Sequence, residues 1–376
     1  MAILAKCQIK QATVSYCCVL VMTTTERSSM SPSERLLQVL GDYQRVLVVM
    51  HDNPDPDAIA SGWGVEVLIQ ERLNKPVRVV GGGAIVRAEN RHMVDLLHPP
   101  IELVDDVAID EQTATILVDC GVEATNHLLT RHGIKPVAII DHHTNGKKSF
   151  DVPFTDIRTD VAASATITAS YLREQGIDPG PKLATAMLYA VRSETCGYET
   201  HHSALDRSIL PWLTEFGEPE VLAEIENAPL TRDYFADLLL ALQSTFLYDD
   251  VGICFLPRAG GAEIVGEVAD MLVRCYDIRS VLCAAVVEDD LLISARTERD
   301  SDSAVLLLQR TLDGLGGAGG HLHRAGGKIS NIQHGTKATE SLYDELRNRW
   351  LAACNVTCKR GSRLIAKREI VQNLER

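Results

Sequence analysis

The stretch His51-Asp52-Asn53-Pro54-Asp55-Pro56-Asp57 sets an imidazole beside carboxylates at a spacing that suits a divalent cation. His51, Asp55 and Asp57 offer one nitrogen and several hard oxygens, a mixture that favours manganese, magnesium or iron over a thiolate-preferring metal. Two prolines stiffen the stretch, so that both later carboxylates can be held toward one side. Taken alone it is equally a polar turn, because Asp, Asn and Pro favour turns for local reasons. The pattern recurs, however. Thr115-Ile116-Leu117-Val118 runs into Asp119-Cys120-Gly121, and Val137-Ala138-Ile139-Ile140 runs into Asp141-His142-His143. Three apolar runs that each deliver Asp or His at the carboxyl end make a constellation able to converge in space. Two metals about 3.5–4 Å apart can share a water, lower its pKa and aim it at phosphorus. That chemistry needs a carboxylate touching both ions, and Asp119, between two donor groups, is the candidate.

A second unusual element is Gly314-Leu315-Gly316-Gly317-Ala318-Gly319-Gly320-His321, followed by Arg324-Ala325-Gly326-Gly327. No Gly-Lys-Ser/Thr follows it, so it is not a P-loop. Glycines at this density let a backbone approach a ligand closely, with His321 as a neighbouring donor. Gly81-Gly82-Gly83 reads as a plain turn after a strand.

These residues need elements to position them. Short apolar runs rich in Val and Ile at 46–50, 77–80, 115–118 and 137–140 read as buried strands, and helical patterns cover 59–73, 162–174 and 183–191. Continuous β-branched runs separated by helices indicate a parallel sheet. Ser31-Pro32-Ser33-Glu34 reads as a helix cap where ordered structure begins. After an acidic break at 218–226, residues 234–246 have the spacing of a connecting helix, and 251–256 open a second αβ unit. Residues 281–287 and 291–295 read as an antiparallel pair joined by Glu288-Asp289-Asp290. The expected fold class is α/β: an N-terminal parallel-sheet domain with helices on both faces, a helical linker, and a smaller mixed-sheet α/β C-terminal domain. The expected divisions are an extension over 1–30, a catalytic domain over 31–226, a linker helix over 227–247, a substrate-binding domain over 248–345 and a basic tail over 346–376.

The 376 residues suit two domains, and 45% hydrophobic with 23% charged residues is a globular composition. The best apolar run, 14–22, is well short of the roughly 20 residues that span a bilayer, so no membrane partner is expected. A net charge of −14 argues against tracking along nucleic acid, which needs clustered cations. It leaves room for a small phosphorylated substrate held by a few local cations. Ten cysteines without a CxxC pair point to small buried hydrophobes in a reducing cytoplasm.

In order, His51-x-x-x-Asp55-x-Asp57, Asp119, Asp141-His142-His143 and Gly317-Ala318-Gly319-Gly320-His321 resemble the motifs of DHH phosphoesterases that carry the DHH-associated C-terminal domain. The resemblance spans about residues 35–335. Within that group the compact layout is similar to bacterial oligoribonucleases (nanoRNases) that also dephosphorylate 3′-phosphoadenosine 5′-phosphate. The resemblance implies two divalent metal ions, Mn2+ foremost, with Mg2+ or Fe2+ as substitutes. His51 and Asp55 would hold one, Asp57 and His142 the other, with Asp119 bridging. His143 would face the scissile phosphate, supported by Asp141. Arg296, in the family's Ser-x-Arg position, would contact substrate together with Gly319, Gly320, His321 and Arg324. Glu194, in Ser193-Glu194-Thr195-Cys196-Gly197, stands where the family's Thr-Asp-Thr-Gly run supplies an Asp ligand. The implied partners are a short RNA or DNA oligonucleotide or a nucleotide as substrate and, as an option, a second copy in a homodimer. Hydrolysis of a cyclic or linear dinucleotide, hydrolysis of polyphosphate or pyrophosphate, and non-catalytic nucleotide binding are the competing expectations.

Overall fold

The structure, a computed structural model, describes residues 30–121, 123–143, 151–195, 202–259, 261, 263–298, 302–320, 322–332, 336–358 and 360–365. Two sheets organise it. The first contains β1 (Arg45–Val49), β2 (Val77–Gly81), β3 (Ile101–Leu103), β4 (Thr113–Val118), β5 (Ala138–Asp141) and β6 (Phe154–Ile157). All are parallel, in the order β3-β2-β1-β4-β5-β6. Such a sheet is covered on both faces, which is why its strands read as unbroken apolar runs. In β1, Val46 and Val48 join one core while Leu47 and Val49 join the other.

The first core is made by α1 (Pro32–Leu40), α2 (Pro56–Leu73), α3 (Ala88–Leu97), α5 (Ser164–Glu174), α6 (Gly180–Thr195), α7 (Ala204–Thr214) and α8 (Pro219–Glu226). Among the described residues, the opposite face carries the short α4 (Leu128–His132) and loops. The two faces are therefore unequally covered. The cap expected at Ser31 is a full capping box: Ser31 Oγ accepts from Glu34 N and Glu34 reaches back to Ser31 N. The acidic break at 218–226 is itself a helix, α8, which buries Ile225.

The strand order reverses between β1 and β4. β1 leads through α2 toward one edge, and β4 leads through α4 toward the other. At such a switch point neighbouring loops diverge to opposite faces and leave a crevice at the strands' carboxyl ends, where ligands bind in open α/β sheets.

The second sheet is mixed, in the order β11-β12-β10-β9-β8-β7-β13. Its strands are β7 (Thr245–Tyr248), β8 (Val251–Leu256), β9 (Ser280–Val287), β10 (Asp290–Thr297), β11 (Gly317–Gly320), β12 (Arg324–Ile329) and β13 (Ser362–Arg363). Only β8 and β9 run parallel. The expected hairpin around Glu288 is β9–β10, with Glu288 in the left-handed region at φ 53°. α9 (Arg232–Ser244) and α10 (Glu263–Leu272) pack on one face, α11 (Ala304–Leu312) and α12 (Thr336–Ala353) on the other.

Two expectations need correction here. The connecting helix stops at Ser244, and Thr245 and Tyr248 are buried in β7, as suits β-branched and aromatic side chains. The stretch from 346 begins inside α12, and Leu346, Trp350 and Leu351 are buried on one face of it. Their spacing of four and five residues puts them on one helical stripe, so apolar burial outweighs the basic composition there.

Candidate metal centre and the adjoining cleft

The loop after β1 is held by its own backbone and by β2. His51 Nδ1 lies 2.8 Å from the Asp52 carbonyl oxygen. A carbonyl only accepts, so Nδ1 carries a proton and Nε2 is directed inward. Asp55 is the N-cap of α2: its Oδ1 accepts from Asp57 N at 2.9 Å and Ala58 N at 3.0 Å. Asp55 Oδ2 lies 3.8 Å from His51 Nε2. Asn53, at φ 55°, accepts from Ala84 N and donates its own N–H to Gly82 O. Asp52 pairs with Arg131. A Cβ on Gly82 would run into the Asp52 carboxylate and the Arg131 guanidinium. Those are side-chain ends that can swing aside, whereas Gly83, at φ 71°, would bring a Cβ against the Asn53 side chain and backbone nitrogen. Gly83 thus admits the β1 loop against β2 and is more than a plain turn.

Asp119, at the end of β4, is buried and sits at φ 54°. Asp tolerates the left-handed region better than most residues, and an outlier of this kind clusters at functional sites. Its Oδ2 is 3.8 Å from His51 Nε2, and its Oδ1 is 3.6 Å from His142 Nε2 and 3.8 Å from His143 Nδ1. Asp57 Oδ2 lies 3.5 Å from His142 Nε2. Asp141, fully buried at the end of β5, accepts at Oδ1 from His142 N, His143 N and His143 Nδ1, the last at 2.7 Å. It fixes the backbone of both histidines and orients the His143 imidazole from behind.

Two sets of three donors, His51/Asp55/Asp119 and Asp119/His142/His143, each gather their ligand atoms within 4.8 Å of one another and share Asp119. The second set takes in His143, expected to face substrate; Asp57 adjoins it through His142.

The spacings fit cations. At 3.5–3.8 Å the pairs are too long for hydrogen bonds. Donors about 2.1 Å from one ion at angles of 90–110° lie about 3.0–3.5 Å apart, so a small contraction closes each set. The electrostatics demand positive charge. Burial, then Asp57, Asp55, Asp141 and Glu194, push the Asp119 carboxyl well above its usual range. Burial and Asp55 push Asp57 up to about 6, although the Ala165 and Ser164 N–H groups pull it down. Burial lowers the His51 imidazole, but Asp55, the Asp52 carbonyl and Asp57 prevail and raise it to about 9. Asp55 falls below the carboxylate range because His51 outweighs burial. Burial likewise lowers His143, and Asp141, Asp57 and Glu194 raise it further. Carboxylates crowded out of water in this way are stabilised by a divalent ion, which also requires them ionised. Imidazole with carboxylate suits manganese or iron, and magnesium less well.

Residues 45–191 match the DHH family, N-terminal domain. The chain carries a DHH domain. An uncharacterised protein of Methanocaldococcus jannaschii is 29% identical over 76% of the chain and 58% of its own length. A cyclic-di-AMP phosphodiesterase of Geobacillus thermodenitrificans is 23% identical over 81% of the chain and 47% of its own length. The chain thus spans about half the length of these curated relatives. Among solved structures, an exopolyphosphatase-related protein of Bacteroides fragilis superposes with a TM-score of 0.67 at 14% identity, over 86% of this chain and 97% of the other. RecJ of Thermus thermophilus in complex with Mn2+ gives 0.51 at 15% identity, over 87% and 55%. Both share the fold.

Beside the candidate metal centre lies a cleft of about 990 Å³, walled by Arg87, Tyr189 and Arg192 from the first sheet's side and by Asp270, Arg296 and Arg324 from the second. The strand-end donors are not in its wall. The two regions meet at the end of α6, where Ser193 lines the cleft and the half-buried Glu194 senses both. Burial, Asp55 and Asp57 raise the Glu194 carboxyl to about 8, against the pull of Arg324 and His143. Arg324 Nη1 donates to Ser193 O at 3.2 Å, joining β12 to α6. Arg296 is bidentate to Asp270, at 2.5 and 3.3 Å, and Arg324 lies 3.5 Å from the same carboxylate. Gly319 and Gly320 belong to the edge strand β11 and not to an open loop; Gly320, at φ 136°, faces Ala325. His321 lies outside the described residues, as do Cys196 and Gly197.

Sequence reading missed Asp270, whose role shows only when α10 meets β10. It also missed Ser164, whose one signal was a small polar residue opening an Ala-rich helix.

Proposed function

We propose that the chain is a metal-dependent phosphoesterase that hydrolyses short oligonucleotides or nucleotide phosphomonoesters, with two divalent ions held by His51, Asp55, Asp57, Asp119, His142 and Glu194. The observation that carries this reading is the pair of donor sets sharing Asp119 at the switch point. Bound there, two cations would acidify a water and neutralise phosphate charge. The chain's own groups would do the rest. Asp141 holds the His143 imidazole at Nδ1, and its charge favours the imidazolium, a donor to a phosphate oxygen. Arg324, tied to Ser193 beside Glu194, would hold the substrate's phosphate next to the metals. Arg296, Gly319, Gly320 and His321 would complete the substrate side. A phosphodiesterase among the relatives supports a phosphate ester as substrate, and the Mn2+ bound by a protein of the same fold supports manganese.

Four of the cleft's five arginines have carboxylate partners: Arg87 with Glu267 and Glu89, Arg192 with Glu226, and Arg296 and Arg324 with Asp270. So balanced a cleft suits one or two phosphates attached to a nucleoside better than the dense charge of pyrophosphate or polyphosphate. The test is turnover with Mn2+ on a dinucleotide, a longer oligonucleotide, 3′-phosphoadenosine 5′-phosphate, a cyclic dinucleotide and pyrophosphate. The dinucleotide or the phosphomonoester is expected to lead. Asp119→Ala is expected to lose more than the roughly 10–100-fold typical of outer-shell changes. Equal turnover by that variant, or pyrophosphate as the best substrate, contradicts the proposal.

A further inference from the structure

We propose that Ser164, which is in neither donor set, is a positioning residue that aims Asp57 and Asp119 together at His142. The inference rests on reading the cluster as a cation site and concerns how that site is built. Ser164 is fully buried and is the first residue of α5. It donates twice: its backbone N–H to Asp57 Oδ2 at 2.7 Å, and its hydroxyl to Asp119 Oδ1 at 2.9 Å. These are the two oxygens that face His142 Nε2, at 3.5 and 3.6 Å. One residue therefore stands behind both carboxylates, by its backbone at Asp57 and by its hydroxyl at Asp119, at the point where they approach the same imidazole. Ala165 N adds a bond to Asp57 Oδ1 at 2.7 Å. Each carboxylate oxygen keeps a second lone pair, so these bonds orient the ligands without consuming their capacity to bind a cation.

The arrangement also explains why α5 has no side-chain cap of its own: Ala163 stands at its N-cap. Asp57, in the first turn of α2, takes that part from the neighbouring helix and meets the first free N–H groups of α5. The turn is locked in place from its other side. Asp206, fully buried at the start of α7, accepts from Ala162 N at 3.0 Å, Thr166 Oγ1 at 2.6 Å and Ser203 N at 2.7 Å. Two like charges that share a buried site repel, and only donors fixed to a rigid turn hold them at a common distance from His142.

The test is calorimetric titration of Mn2+ into the full chain stripped with EDTA, with the Tm of each metal-free variant measured alongside. Ser164→Ala keeps the backbone donor and removes the hydroxyl; Ser164→Thr keeps both. The alanine variant is expected to bind Mn2+ about 10–100-fold more weakly, and threonine to restore the affinity. A merely structural role for Ser164 would lower the metal-free Tm and leave the affinity of the folded protein unchanged. Should the alanine variant not fold, the same titration in sucrose, which favours the compact state, supplies a folded hydroxyl-free chain. Affinity within about threefold of wild type in the hydroxyl-free variant, far short of an outer-shell effect, overturns the proposal, provided Asp119→Ala has lost binding. If Asp119→Ala binds Mn2+ normally as well, the cation site itself fails.

Discussion

Asp57, Glu194 and His51 hold protons at a pH where exposed groups of their kinds have lost them. Burial and neighbouring carboxylates raise Asp57 to about 6 and Glu194 to about 8, while Asp55 raises His51 to about 9 against burial. The sign follows from proton linkage. Where the folded chain binds more protons than the unfolded one, stability falls as pH rises. Asp57 contributes this fall between about 4 and 6, Glu194 between about 4.5 and 8, and His51 between about 6.5 and 9. Asp55, shifted down, acts only below its usual value near 4. The metal-free protein is therefore expected to lose thermal stability from pH 5 to pH 8. Metal binding needs the same groups deprotonated, so the rise in Tm on adding Mn2+ is expected to grow over that interval. Scanning calorimetry with and without Mn2+ checks it; an increment that shrinks with pH contradicts the assignment. At this scale the sequence was legible for residue types that carry charge. His51, Asp119 and Asp141-His142-His143 stand out because three separate apolar runs each end on an acidic or imidazole group. Ser164 and Asp270 were not legible, since a hydroxyl or a carboxylate acquires such a role only from what another element brings to it.

The strands bring these residues together, and they do so because β1 and β4 are neighbours that hand the chain to opposite edges. The parallel strands could be read from continuous Val and Ile runs; their order could not, since nothing local in β4 says that it pairs with β1. Where amphipathic or β-branched patterns were short, as at Thr245, or mixed with basic residues, as around Trp350, tertiary burial decided the outcome. The packing of the β1 loop on β2 is a further consequence of that order. Gly83→Val would put a β-branched side chain at φ 71° with its Cβ against the Asn53 amide and backbone nitrogen, and strain and overpacking of this kind cost about 1–3 kcal/mol. The urea midpoint of the variant is expected to fall accordingly, and its Mn2+ affinity with it, because Asn53 and the His51 loop must move. Unchanged stability and affinity would show that the loop does not depend on β2.

Across the whole molecule, two sheets with separate cores meet over a cleft that opens beside the candidate metal centre, and the end of α6 belongs to both. Ser193 anchors Arg324 from the second sheet, and Glu194 responds to the charges of the first. No described helix is long and apolar enough to cross a membrane. The strand-end carboxylates contribute to the net charge of −14 and would be offset by cations bound there. The division into two αβ units was visible in the sequence, but the cleft was not, because its arginines and their carboxylate partners come from six separate elements and loops. We propose that the three strand ends form a shared site for two cations, and a count of the bound ions tests this most directly. Equilibrium dialysis of the full chain against Mn2+ is expected to give two ions per chain for the wild type and no more than one for Asp119→Ala. No bound manganese in the wild type, or two ions retained after Asp119 is removed, would contradict the account.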